Sequence, residues 1–533
     1  MLILSKKSIY RRRIPVQYIL QIETNSYIRT HSQFVDKLGF SMNTSDELFQ
    51  LIRSLSMQEK RHFKIFAKGS YMREGDNNYL RLFDAIEKQR RYDEKKIKAR
   101  FRGETFIKHL PSEKHYLFSL ILRSLRNYHS ETNTDVRIKE LLIDAEVLQQ
   151  KSLPGLCRKT LRKAKKLAYR YERLAFIPEI VRLESRLFDL ASLDDVYTEE
   201  QAALQKITKV NRYRALSNKM ARLVATAHHL RKSSELKALA AVMKDPLMKE
   251  EKQADTFTAK IYYFYIKGVY FGLKGDLRNG YLIRKRFVDI IEAEKELLEI
   301  QARNYLSALN NLAISEMELE KFEDAMVTVT KIRELPRHTK AGRAEDVRIS
   351  SFIFSSILEM NIHIRTRQYE NSLEVVKQTE EGLKSYEGKI HPQFLIVLHN
   401  SIKYIYFGTG EFKKALQWSN KVIANNDPGI RDDIKAMARI FNLILHFELG
   451  NTDHMEYIIP STYRFLLKSQ RLYKVETVIL HYLKRSAHLG SKKEILASFR
   501  KLYRELLPLA KDPYEKKAFE EFDIIAWLAG KIG

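Results

Sequence analysis

One cysteine, Cys157, occurs in 533 residues. An intrachain disulfide framework and any zinc site built on several cysteines are thereby excluded. Glycine and proline are scarce, at 19 and 11 residues, where an average chain of this length would carry roughly 37 and 27. Turn-rich all-β folds, collagen-like chains and Gly/Ser linkers are therefore poor candidates. No run approaches the roughly 18 apolar residues of a membrane-spanning helix, so no membrane partner is expected. The opening MLILSKKSIYRRR is not a secretory signal, because its short apolar run precedes the charges. A cytoplasmic location is the expectation.

Catalytic signatures are missing as well. There is no G-x-x-x-x-G-K-[ST], no dinucleotide glycine fingerprint and no H-E-x-x-H. The adjacent pair His228 and His229 points in two directions about 100° apart on a helix, a poor arrangement for one metal. The chain is expected to be non-catalytic, with no cofactor and no metal. An enzyme whose site is assembled from residues distant in sequence is the remote alternative.

What is present is apolar residues at helical spacing almost without a break from Met42 onward. Thr44 and Glu47 have the spacing of a capping box, and Leu48, Leu51, Ile52 and Leu55 continue the pattern. Residues 1–41 read differently, with the strand-period run Ile14, Val16, Tyr18, Leu20, Ile22. The change predicts translation starting at Met42 and an over-extended frame before it; the alternative is a basic, loosely ordered tail. Pro111, Pro154, Pro178, Pro392 and Pro513 sit where helices would start, since the first helical turn does not need the missing N–H. About two dozen helices joined by short turns follow, and long chains of this kind fold as bundles or stacked hairpins.

The stretch HNSIKYIYFGTGEFKKALQWSNKVIANNDP, residues 399–428, resembles a tetratricopeptide repeat. Tyr406, Gly410, Phe412, Ala415, Val422 and a following proline fall at or within one residue of that family's preferred positions. Looser copies place the anchor of the second helix at Gly280, Ala325, Ser372 and Met455. Their spacings with Ala415, 40–47 residues, exceed the family's unit of about 34, so longer or irregular helices are implied. Pro336 closes one copy, and an earlier copy anchors at Cys157, whose thiol is then expected to be small, buried and inert. The expected fold is an all-α, tetratricopeptide-like solenoid of stacked antiparallel hairpins with a helical N-terminal domain. Its sections are 42–135 (N-terminal domain), 136–260 (basic region), 261–470 (repeats) and 471–533 (capping helices). The resemblance implies a groove lined by first helices that binds a protein or peptide partner. By register that groove presents Tyr262, Tyr265, Asn310, Asn311, Asn400 and Tyr404, with asparagines able to hold a peptide backbone.

The net charge of +28 is uneven: +21 falls in the first 260 residues. Two stretches dominate. One holds Arg158, Arg162, Lys163, Lys166 and Arg170, opposite the apolar stripe Leu161, Ala164, Ala168. The other, Gln201 to Ser234, has no acidic residue in 34 positions and carries Lys206, Lys209, Arg212, Lys219 and Arg222. Solvated helix faces usually mix signs. A polyanion surface over residues 158–232, for nucleic acid or an acidic protein, is therefore the alternative function; a merely solubilising face is the bland one.

Overall fold

The computed structural model describes residues 47–532 apart from 71–77, 131–132, 188–192, 227–232, 340, 426–429, 470, 487–488, 490, 513–514, 516–518 and 520–522. Residues 1–41, Thr44, His228, His229, Arg231, Lys232 and Pro513 therefore lie outside the described residues. Every regular element among the described residues is helical. The chain is all-α, as composition and periodicity predict. It divides into two compact units: residues 47–218 with 245–262, and residues 219–244 with 263–532.

The first unit begins with α1 (Glu47–Ser54), α2 (Met57–Ser70), α3 (Asn78–Glu87), α4 (Glu94–Arg100) and α5 (Leu110–Ser130). Their apolar stripes close one core around Phe63, Phe83, Ile86, Leu117 and Ile121. A second core follows from α6 (Thr134–Gln150), α7 (Pro154–Arg170), α8 (Ile177–Ser185) and the start of α9 (Leu193–Thr226). Pro111, Pro154 and Pro178 occupy first-turn positions of their helices, where proline costs no hydrogen bond.

The second unit contains α10 (Ser233–Met243), most of α11 (Phe257–Lys274), α12 (Leu277–Ala293), α13 (Lys295–Ile300), α14 (Ala302–Glu318) and α15 (Phe322–His338). It continues with α16 (Glu345–Thr366), α17 (Leu373–Ser385), α18 (Pro392–Gly408), α19 (Phe412–Ile423), α20 (Asp432–Glu448) and α21 (Thr452–Lys468). It ends with α22 (Lys474–Ser486), α23 (Lys492–Leu509) and α24 (Ile524–Ile532). Helices α14, α16, α18, α20 and α22 touch one another in succession. The helix following α14, α18 and α20 packs on its own partner and then on the next first helix. That is the contact pattern of a helical solenoid. Pro336 differs from expectation: it lies inside the last turn of α15 rather than beyond it.

One turn design recurs in both units. Ser152, Glu172, Gly275, Glu320, Arg367, Gly410 and Gly450 all have positive φ, from 49° to 78°. The next residue's N–H reaches back five residues to a helix carbonyl at 2.7–3.0 Å in every case. This is the Schellman closure, which satisfies a carbonyl the helix end leaves orphaned. The residue five positions after each turn residue is buried: Cys157, Ile177, Gly280, Ala325, Ser372, Ala415 and Met455. Six of those seven are the anchors read from the sequence; Ile177 is not among them. The turn thereby places a buried anchor position five residues on, near the start of the segment that follows.

Candidate functional site

Helix α7 is the centre of the basic region. Its start is set by the Ser152 turn and by Pro154 in the first helical turn. Cys157, Leu161, Ala164 and Ala168 recur at 3–4 residue spacing and are buried, which turns the remaining positions outward. The Cys157 thiol donates to the Ala145 carbonyl at 3.2 Å, and burial pushes its pKa up.

The cations of the two basic stretches fall into two groups. Several are paired with acceptors of the fold, some of them half-buried and Arg212 still exposed. The Arg158 guanidinium donates to the Leu187 carbonyl at 2.8 Å. Half-buried Lys165 pairs with Glu184 and, at 2.7 Å, with Glu199. Burial works against the Lys165 charge, but those two carboxylates outweigh it and raise its pKa. The Tyr169 hydroxyl donates to the same Glu199 at 2.7 Å, so α7 lies directly against the first turns of α9. Lys209 pairs with Asp255 at 2.7 Å and Arg212 with Asp245 at 3.5 Å. The acid-free run of α9 is thus partly neutralised by carboxylates that arrive from a later segment.

The other group points to solvent. Arg162, Lys163, Lys166 and Arg170 are exposed on α7 together with Lys159, and Lys206, Lys219 and Arg222 are exposed on α9. Among the described residues, Lys159, Arg162, Lys163 and Lys166 make no ion pair with any carboxylate. Lys206, Lys209 and Arg212 belong to the first unit with α7, whereas Lys219 and Arg222 belong to the second.

The residues read as groove-lining are distributed unevenly. Tyr262, Tyr265, Asn311, Asn400 and Tyr404 are half-buried on first helices. Asn310 is buried, and its Oδ1 has no hydrogen-bond partner among the described residues. Asn400 Oδ1 accepts from Lys403 Nζ at 2.8 Å. Lys403 is itself buried and lies over the rings of Tyr404 and Phe441, at 3.9 and 4.3 Å from their centroids. Tyr404 in turn meets Phe441 edge to face at 5.0 Å. Asn400 and Tyr404 therefore carry packing work within the stack. Each of these groups holds its neighbour in place, whatever else it contacts.

A shallow groove of about 580 Å³ runs between α8 and α9 in the first unit, lined by Pro178, Val181, Arg182, Val196, Tyr197 and Glu200. No motif or charge pattern in the sequence marks it. Four exposed aliphatic side chains, Ile143, Val147, Leu153 and Leu156, also stand near the start of the α7 cations, outside every site expected from the sequence. The signal was there: these apolar residues fall out of phase with the buried stripes of α6 and α7.

No family model and no curated protein sequence matches the chain. Among the described residues no group of three His, Cys, Asp or Glu side chains is placed to hold a metal, and no helix is long and apolar enough to cross a membrane.

Proposed function

We propose that the chain is a non-catalytic, cytoplasmic scaffold that binds a protein or peptide partner through tetratricopeptide-like hairpins. The observation that carries this reading is the recurring unit itself: a left-handed turn residue, a Schellman closure and a buried anchor five residues on, repeated along a stack of first helices. A fold of this kind spends its sequence on a long quasi-regular surface rather than on one enclosed site. The half-buried tyrosines and asparagines of the first helices support the same reading, because they combine apolar area with hydrogen-bonding tips.

Affinity capture with the full chain, from a lysate of its native host treated with nuclease, tests the proposal. Protein partners that persist after nuclease are the expected result. Partners that vanish with the nucleic acid would instead favour a polyanion-binding role.

That second reading has its own observation, the exposed cations of α7. If six to eight of the basic side chains neutralise phosphates, log affinity for a nucleic acid falls against log salt with a slope of about −5 to −7. A shallow slope removes this reading.

A further inference from the structure

We infer that the outward surface of the α6–α7 hairpin binds an acidic, amphipathic peptide segment of the partner protein. The inference rests on the scaffold reading and adds to it a location and a chemistry.

Register comes first. The Cys157 thiol meets the Ala145 carbonyl, so position 157 of α7 stands level with position 145 of α6. In an antiparallel hairpin this sets Ile143 level with Lys159, and Val147 level with the first turn of α7. The buried stripes of both helices, Ile138, Leu141, Leu142 and Ala145 on α6 and Cys157, Leu161, Ala164 and Ala168 on α7, enter one core. The opposite faces of both helices are therefore turned away from that core.

Two kinds of side chain occupy those outward faces. Near the turn are aliphatic ones: Ile143 is 60% exposed, Val147 49%, Leu153 44% and Leu156 52%. From there the outward stripe of α7 continues as Lys159, Lys163, Lys166 and Arg170, with Arg162 beside it. Leu156 to Arg170 is a rise of about 21 Å along the helix at 1.5 Å per residue. The surface is thus apolar at one end and cationic over the following turns. The acids on α6 offset it only in part: Glu140 pairs with Arg137 at 3.3 Å and Glu146 lies 3.9 Å from Arg182, while exposed Asp144 sets one carboxylate against the five exposed cations of α7.

The occupant must complement both halves. A phosphate backbone neutralises the cations but leaves the four aliphatic side chains uncovered, and nucleic-acid bases stack on aromatic faces rather than on aliphatic ones. A peptide helix of about four turns, with aliphatic residues at one end and carboxylates along the rest, covers both. Burial of the aliphatic groups supplies affinity, and the charges supply orientation and association rate.

The test uses the full chain and fluorescence anisotropy. The probes are a labelled helical peptide of about 18 Glu and Leu residues, its Lys-for-Glu counterpart and a single-stranded oligonucleotide of equal negative charge. Two double variants are compared with the parent, Lys163→Glu/Lys166→Glu and Val147→Ser/Leu156→Ser, with unchanged circular dichroism and melting confirming their fold. The acidic peptide is expected to bind and its Lys counterpart not to bind. The charge variant should weaken it more than tenfold and the serine variant about tenfold, while oligonucleotide binding is indifferent to the serine variant. The inference is overturned if the serine variant binds the peptide as the parent does, if the oligonucleotide displaces the peptide, or if no peptide binds. Nuclease-resistant partners captured equally by parent and both variants would overturn this surface and leave the scaffold reading intact. Absence of such partners with the parent would overturn the scaffold reading itself.

Discussion

The thiol of Cys157 and the carbonyl of Ala145 meet across the α6–α7 hairpin at 3.2 Å, both residues buried. The sulfur donor and the helix carbonyl share this contact inside the core formed by the two helices. Native protein should therefore resist thiol alkylation, and labelling in increasing urea should track unfolding. Cys157→Leu overpacks the contact and costs about 1–3 kcal/mol, whereas Cys157→Ala stays closer to the parent. Rapid labelling of the folded protein would show that the hairpin is not closed in this way.

Ala415 occupies the equivalent anchor of the α18–α19 hairpin and is fully buried. Ala415→Leu is expected to lower stability by about 1–3 kcal/mol, while Lys413→Ala on the exposed face of α19 shifts it by at most about 0.5 kcal/mol. Gly408 is constrained from the other side: the Tyr369 ring covers it so closely that a Cβ there would overlap the ring. Gly408→Ala should be as damaging as Ala415→Leu. Chemical denaturation of the three variants checks the ranking.

Glu320 holds a left-handed conformation, φ 60°, that suits glycine better than a residue with a Cβ. Glu320→Gly is expected to leave stability unchanged or raise it by up to about 1 kcal/mol. Glu323→Gly, three residues on and inside α15, should cost about 1 kcal/mol. Thermal melts should separate the two variants, with a loss for Glu323→Gly only, and equal losses would contradict the turn assignment.

Stability should fall on mild acidification. Burial, aided by Lys421, lowers the His399 pKa to about 4 from an ordinary 6.5. A depressed folded-state pKa means that the unfolded chain takes up the proton first. The stabilising contribution is complete above pH 6.5 and is lost as pH falls from there through 4. Its size is on the order of 3 kcal/mol. His363 and His446 are also lowered by burial and act in the same direction. Urea midpoints at pH 7.5 and 5 should differ, and His399→Gln should reduce the difference. A flat profile in the parent would show that His399 protonates freely in the folded state.

Much of the backbone plan is legible in the sequence. The apolar period of Cys157, Leu161, Ala164 and Ala168 defined both the helix and its buried face, because side chains 3–4 residues apart share one side of a helix. Pro154, Pro178 and Pro392 marked helix starts for a purely local reason, the missing N–H. Anchors such as Ala325, Ser372 and Ala415 could be placed because the turn that sets them is a neighbour in sequence. Glu172 and Ile177 repeat the same device without a glycine or a small anchor to announce it, and so escaped notice.

The meaning of the charge was decided only by the tertiary structure. Composition alone made Lys209 and Arg212 look like parts of an uncompensated basic run. Asp255 and Asp245 meet them across the fold, and Glu184 and Glu199 meet Lys165 in the same way. Conversely, Lys159, Arg162, Lys163 and Lys166 remain solvent-facing beside Ile143 and Leu156, a pairing that depends on how α6 closes against α7. Helix formation and helix ends depend on residues within a turn or two of each other, so the sequence determines them directly. Neutralising a cation, burying an asparagine such as Asn310 or assembling a mixed surface depends on which distant residues arrive at a few ångströms, and only the packed chain settles that.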